Sequence, residues 1–400
     1  MKKKVVLLLS SALIIVLSAC HEGVGVENKK VEIYYSGVTD IYDEHIPLLN
    51  TFVKVDIYNA KEINRIEEES QAIMSYYHKL LDSHHYYFDE TKAINNIKVI
   101  NDSYGTGRIV DVDAEIIKVL NEAILMMELS NGYFNPFLDS LISLWSPKFS
   151  PYPLENEDPS VQEIKEALAC VPSLEQIKEI LIIDETNNTI QFDKMEGCNQ
   201  KVAINLGGFA KGFVLNEVSA YLNEQAISYM LNMGNSSLYF NGQEEERTWM
   251  IGTTSPYEKS YSFVLELPKE AALSTSGDAN QLFLKQNEEG SYIVRSHLLN
   301  PYTGYSESKY RMVSVISDNN QVSEVLSTAL FIVQSEEEQQ KIIRNFEKHY
   351  NISIQVVWYY EEEYGGENVK LIMTSGIMEY IKLDSLEEKI KELIVWEEFE

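Results

Sequence analysis

The sequence predicts an α+β fold. Three observations predict it: strand-like runs with period two, apolar stripes with helical period, and no strict alternation of the two along the chain. They are spread over 400 residues, 44% hydrophobic and 11% aromatic, which is ample for one large domain or two modest ones.

The chain opens with MKKKVVLLLSSALIIVLSAC, in which three lysines precede an apolar run from Val5 to Val16. That is the build of a secretory signal, and the run is too short for an ordinary spanning helix. Leu17-Ser18-Ala19-Cys20 resembles a bacterial lipoprotein cleavage box. The resemblance implies removal of residues 1–19, lipid attachment at Cys20 and a polar tether over 20–44. The protein would then sit on the extracytoplasmic face of a bacterial cell membrane, held by its lipid. A plain signal peptide with an incidental cysteine is the alternative.

Residues 51–58 alternate, with Val53, Val55 and Ile57 on one face, and predict a half-buried strand. From Lys61 to Leu81, Ile66, Ile73, Tyr77 and Leu80 form an amphipathic helical stripe. The aromatic loop LDSHHYYFDE follows. A second helix is expected from Asp113, as N-cap, to Leu129, with Ile116, Leu120, Ala123 and Met127 inward and a stop at Ser130-Asn131-Gly132. SPKFSPYPLENEDPS, residues 146–160, reads as a surface loop. A short helix and a hairpin around Asn187-Asn188 come next. Strands are expected at 229–233, 237–240, 247–251, 262–267 and 311–316, a helix at 321–334, and an acidic helix over 381–400.

The formal charge of −29 argues against nucleic acid as a partner, since nothing would neutralise its phosphates broadly. A site for an anionic ligand must then be shielded by a metal ion or a helix end. After Cys20 only Cys170 and Cys198 remain. They can form one bridge or none, and no C-x-x-C or zinc spacing occurs.

INLGGFAKGF, residues 204–213, places Gly207, Gly208 and Gly212 around Lys211. Val202-Ala203-Ile204 reads as a strand before it, and Leu215, Val218 and Leu222 as a helix after it. A strand-to-helix junction leaves backbone N–H groups unpaired where an anion is favoured. The spacing is neither G-x-x-x-x-G-K-[ST] nor G-x-G-x-x-G, so a tight turn with one surface lysine accounts for it equally well.

Four more segments accompany it: SNGYFNPFLDSLISLW (130–145), NMGNSSLYFNG (232–242), LSTSGDANQLF (273–283), and HLLNPYTGY (297–305) followed by SEVLSTALFIV (323–333). In this order and spacing the set resembles the ApbE family of bacterial flavin-transferase lipoproteins. The match covers 45–380. The resemblance implies two closely packed α/β subregions with the flavin in the cleft between them. It implies Mg²⁺-dependent cleavage of FAD, joining of FMN to a threonine or serine of a partner protein, and release of AMP. Such acceptors are subunits of membrane redox complexes or extracellular flavoproteins. Carried over residue by residue, flavin and adenine contacts fall on Leu49, Tyr86, Tyr133, Phe134, Asn135, Asn205, Lys211 and Leu299. The metal falls on the Gly208 carbonyl, Glu324 and Thr328, and His297 matches the histidine assigned to the chemistry. Thr275 and Ser276 orient phosphate oxygens or cap a turn.

The chemistry is consistent with this assignment. Mg²⁺ takes hard oxygen ligands, few from protein and the rest from phosphate and water. Glu324 and Thr328 are four apart, on one face of a helix. His297 has the proton affinity to receive a proton from a hydroxyl. Several positions depart from the family pattern: Leu49-Asn50-Thr51 for Met-Gly-Thr, Asn135, Asn205, Asn216 and Asn300 for aspartate, Gly234-Asn235-Ser236 for Gly-Gly-Asp, and Glu324 for aspartate. Lost carboxylates weaken cation binding. Two alternatives therefore stand beside transfer: flavin binding with weak or no transfer, and hydrolysis of FAD to FMN and AMP.

Overall fold

The computed structural model describes residues 30–396, apart from 59, 90, 150–155, 226, 243–247, 257–260, 280, 308, 362–365 and 367. The signal segment, Cys20 and the first part of the tether lie outside the described residues. The described helices are α1 (Ile63–Leu81), α2 (Ile97–Ser103), α3 (Ala114–Leu129), α4 (Asp139–Trp145), α5 (Val161–Leu168), α6 (Leu174–Ile180), α7 (Ala210–Glu224), α8 (Asn320–Ile332) and α9 (Glu336–Tyr350). None is long and apolar enough to cross a membrane.

A nine-stranded sheet organises the protein. Its order is Lys30–Tyr35, Val53–Tyr58, Ser228–Met233, Ser237–Asn241, Glu270–Gly277, Tyr310–Ser317, Gln355–Glu361, Val369–Thr374 and Ile390–Trp396. Neighbours are antiparallel except the last pair, which is parallel. Both faces are covered. Val55, Leu231, Tyr239, Ala272, Val313 and Val315 face a core shared with α1, α3, α7, α8 and α9. Met230, Leu238, Leu273, Met312 and Val357 alternate with them and face a second core, closed by strands Trp249–Thr254 and Tyr261–Leu267. Tyr310–Ser317 is buried along its whole length, on both faces of the sheet, and carries Arg311, Ser314 and Ser317 among its buried residues. A third cluster gathers Leu141, Trp145, Ile164, Phe283 and Leu299 around α4 and α5.

Most expected elements are present within a residue or two. Asp113 caps α3 through the Glu115 N–H, and Asn131 and Gly132 turn left-handed at its end. The hairpin at Asn187-Asn188 joins Leu181–Asp184 to Thr189–Phe192. The strand placed at 247–251 is described from Trp249 to Thr254, with residue 247 outside the described residues.

Two segments differ from what the sequence predicts. The described part of 381–400 does not form the expected helix: Ile390–Trp396 is a strand that pairs with Val369–Thr374 at the sheet edge, and residues 397–400 lie outside the described residues. The spacing of Leu386, Ile390 and Ile394 imitates a helical face, but the β-branched Ile390, Ile394 and Val395 fit the open edge better. Val202-Ala203-Ile204 is buried and belongs to none of the sheets. The Asn101 side chain takes the place of a strand partner, accepting from Ile204 N–H at 2.7 Å and donating to its carbonyl at 2.9 Å.

Cys170 and Cys198 form a disulfide across 28 residues, from the end of α5 to the segment before 202–204. Cys170→Ser is expected to lower stability by roughly 3–4 kcal/mol, the loop-closure value for that span. Denaturant midpoints with and without a reductant check it: the wild type should lose the same amount on reduction, and the variant nothing.

Candidate active site

The junction at 204–213 is pinned from two sides. Asn205 N–H donates to the Pro136 carbonyl at 2.8 Å, its Nδ2 donates to Asp139 at 3.2 Å, and its Oδ1 accepts from Gly207 N–H at 3.1 Å. The side-chain amide can make both of its bonds, whereas a carboxylate there could not donate to Asp139. This gives Asn205 a structural use in place of the expected aspartate. Neither Gly207, Gly208 nor Gly212 has a positive φ. Gly212 is required by close approach: a Cβ would lie 2.7 Å from the Asn320 carbonyl oxygen and from Glu324 Cβ. A Cβ on Gly208 would meet only ordinary contacts, 3.7 Å from Phe134 and from Thr328 Oγ1.

The α7–α8 crossing brings Lys211 onto Glu324. The Lys211 ammonium pairs with Oε1, while Oε2 accepts from Ser237 and from Ser274, the latter at 2.9 Å. Glu324 is 4% exposed, and Lys211 opens further to solvent. Hydroxyls continue along α8: Ser274 to Ser327 at 3.3 Å, Ser276 to Ser327 at 2.8 Å, and Ser276 to Thr328 at 3.2 Å. The strand period explains the pattern. Ser274 and Ser276 share the face of Ala272 and meet α8, whereas Thr275 shares the face of Leu273 and bonds Ser314 at 2.9 Å. Of the expected pair, Ser276 reaches this centre and Thr275 faces the other side of the sheet.

His297 follows strand Tyr292–Ser296 and lies within electrostatic reach of Lys211. Its side chain is exposed. Nearby protein, and then the Lys211 charge, lower its pKa from the usual imidazole value, against a raising contact from the Gln281 backbone.

The other expected residues are more dispersed. The Phe134 ring stacks on Phe209 at 6.2 Å and lies against Gly208. Tyr133 meets Tyr302 edge-on at 5.2 Å. Asn135 is committed to structure, donating to the Pro172 carbonyl at 3.2 Å and accepting from Phe137 N–H at 2.9 Å. Leu299 is a core residue beside Trp145 and Phe283. The Tyr86 hydroxyl pairs with Asp102 and accepts from Lys98 at 3.2 Å. A surface hollow lined by Gln176, Glu179, Asp193 and Lys194 includes none of these residues.

Leu49 and Asn50 are both left-handed, with φ of +48° and +56°. Leu49 N–H donates to Nδ1 of buried His78 at 2.9 Å. Burial pushes the His78 pKa down from 6.5 to about 4, opposed by the Asp82 carboxylate and aided by His85 and Lys79. The fold therefore favours neutral His78. Between pH 6.5 and 4 the unfolded chain binds more protons, so this contribution is complete above pH 6.5 and is lost as pH falls. The loss is expected to be on the order of 3 kcal/mol. It is read as the excess acid sensitivity of the wild type over His78→Gln in denaturant midpoints, and equal sensitivity would contradict it.

Ser237, Ser274 and Ser327 are missing from the sequence reading. The alternation within Leu273-Ser274-Thr275-Ser276 was the available signal, since it puts 274 and 276 on one face.

The oxygen-only donors fit a hard cation. Among the described residues no three His, Cys, Asp or Glu side chains are grouped to hold a metal. An ion here would rest on one carboxylate, neighbouring hydroxyls, backbone oxygen and the ligand's own phosphates, in the manner of Mg²⁺.

The ApbE family model matches residues 49–353, and the chain belongs to the ApbE family. It is 26% identical over 246 residues to the FAD:protein FMN transferase of Rhodobacter capsulatus, covering 61% of this chain and 43% of that protein. It is 24% identical over 340 residues to the Haemophilus influenzae protein of the same name, covering 83% of this chain and 88% of that one. The fold is that of the Vibrio cholerae flavin transferase ApbE, with TM-score 0.63, 18% identity, and 88% and 99% of the two chains covered. It is equally like the Thermotoga maritima ApbE protein, with TM-score 0.62, 22% identity, and 82% and 94% covered.

Proposed function

We propose that this chain transfers FMN from FAD to a threonine or serine hydroxyl of a partner protein and releases AMP, with Mg²⁺ as cofactor. The observation that carries the reading is the convergence of Lys211, Glu324, Ser276 and Thr328 at the glycine-rich start of α7. Family membership supplies the flavin. The signal-like first twenty residues and the Cys170–Cys198 bridge support an extracytoplasmic, lipid-anchored location, because disulfides persist in oxidising compartments.

The chemistry follows from the residues. Glu324, Thr328 and the Gly208 carbonyl would hold the cation, which neutralises charge on the pyrophosphate and on the leaving oxygen. Lys211 is a mobile point charge that can exchange Glu324 for phosphate once the carboxylate is engaged by the metal. His297 accepts the proton of the acceptor hydroxyl as its oxygen bonds to the FMN phosphorus and the bond to AMP breaks. Partly buried Tyr133 offers aromatic surface to the ligand's rings, with buried Phe134 packed behind Gly208. Lys211→Ala is expected to weaken FAD binding by about 1–3 kcal/mol, as loss of a charged hydrogen bond does. A fluorescence titration in Mg²⁺ checks it, and an unchanged Kd would place Lys211 away from the ligand.

One observation favours a second reading, flavin binding without transfer: both oxygens of Glu324 already have protein donors. Chromatography of FAD, FMN and AMP, with and without acceptor and Mg²⁺, separates the readings. Transfer gives AMP without free FMN and only with acceptor. Hydrolysis gives both, and binding alone gives neither.

A further inference from the structure

The left-handed pair Leu49-Asn50 is an outlier that needs a cause. A leucine in this region costs about 1–2 kcal/mol and persists only where its surroundings impose it. The segment also borders the site. Phe52 carbonyl accepts from Gly234 N–H at 3.0 Å, and Thr51 fills the space above Gly234, where a Cβ would lie 2.5 Å from its Oγ1. Two residues on, Ser236 holds Thr275 N–H at 2.7 Å and Ser237 bonds Glu324.

Besides the turn's own backbone bonds, from Asn50 N–H to Pro47 and from Thr51 N–H to Leu48 at 3.0 Å, a directed relay lies behind it. Leu49 offers only a donor, so His78 Nδ1 is the acceptor and the ring proton sits on Nε2. Nε2 then donates to Tyr87 Oη at 2.9 Å, and Tyr87 donates to Asp82 at 2.6 Å. Asp82 is held by His84 and His85 N–H at 2.6 and 3.1 Å and by His85 Nδ1 at 2.8 Å. His78, Tyr87 and Asp82 are all buried. A carboxylate that orients an imidazole through a hydroxyl fixes both ring direction and tautomer. None of these residues lies in the quoted segments that carry the resemblance to the family.

We propose that His78 is a positioning residue: through Nδ1 it holds the left-handed Leu49-Asn50 turn against the 234–237 turn and so sets one wall of the substrate cleft, with Tyr87 and Asp82 fixing its tautomer. The proposal rests on the flavin reading only for the identity of the substrate. The test compares two variants that remove the same ring. In His78→Asn the amide oxygen takes the place of Nδ1 and can still accept from Leu49. In His78→Gln the amide reaches toward Tyr87 and leaves Leu49 without an acceptor.

Amide hydrogen exchange over residues 48–52 is measured without ligand, and kcat and KM for FAD with it. Expected are exchange about tenfold faster and KM about tenfold higher in His78→Gln, kcat within about threefold, and both values near wild type in His78→Asn, since one lost neutral hydrogen bond is worth roughly a factor of ten. Equal behaviour of the two variants, whether both like wild type, both impaired in KM or both unfolded, would overturn the assignment. Faster exchange in His78→Gln with wild-type KM would show a held turn that positions no substrate and would overturn it as well. A wild-type protein that neither binds nor turns over FAD would refute the flavin reading, while the exchange comparison would still decide whether His78 holds the turn.

Discussion

Glu324→Ala is expected to abolish Mg²⁺-dependent turnover, by about a thousandfold or more, as removal of a principal electrostatic group at a reacting centre does. Glu324 is the only carboxylate bonded within the cluster of Lys211, Ser237, Ser274, Ser276 and Thr328 described here, so no neighbour there can replace its charge toward a cation. Lys211 would lose its partner but reaches solvent, and the serines can bond one another. The stability loss is therefore expected to stay near 1–3 kcal/mol, and the fold should survive. Glu324→Gln separates shape from charge: it keeps an acceptor but turns an amide toward Lys211 or the serines. It should be nearly as inactive as alanine. AMP release and a melting curve on the same preparation check both points, and turnover near wild type in either variant would remove Glu324 from the metal.

Gly212→Ala is expected to cost about 2–3 kcal/mol, even though alanine is favoured over glycine inside a helix by about 1 kcal/mol. The new methyl would stand 2.7 Å from the Asn320 carbonyl and 2.8 Å from Gln321 Cα, backbone atoms that cannot rotate away. Relief requires α7 and α8 to separate. That same movement carries Lys211 from Glu324, so activity should fall with stability. Gly208→Ala is the control, because its Cβ would find ordinary contacts and should cost less than about 1 kcal/mol. Denaturant midpoints of the two variants check the contrast. Equal costs would mean that helix crossing is not what requires Gly212.

The glycines of INLGGFAKGF were legible as a junction, and their individual uses were not. Sequence order distinguishes Gly208 from Gly212 only once α8 is placed across α7. Motif order is what singles out Lys211, Glu324 and Thr328, and the fold brings them to one cluster. Their serine neighbours were not singled out because alternation places Ser274 and Ser276 on one face without saying which side of the sheet the helices cover. The buried Val202–Ile204 looked like a strand because its apolar run is that of one, while its partner is a single asparagine a hundred residues earlier. The strand at 390–396 was obscured by charge: Lys391 and Glu392 lie on an exposed edge, where polar residues are tolerated. His78 was read only as part of a helix, since its bond to Leu49 spans 29 residues.

The most direct test mixes the protein with FAD, Mg²⁺ and an acceptor domain that presents a threonine hydroxyl, and resolves the products on a denaturing gel. A flavin-fluorescent acceptor band that depends on Mg²⁺ and on Glu324 is the predicted result. An unlabelled acceptor, with FAD either intact or split to free FMN and AMP, would contradict protein flavinylation as the activity of this site.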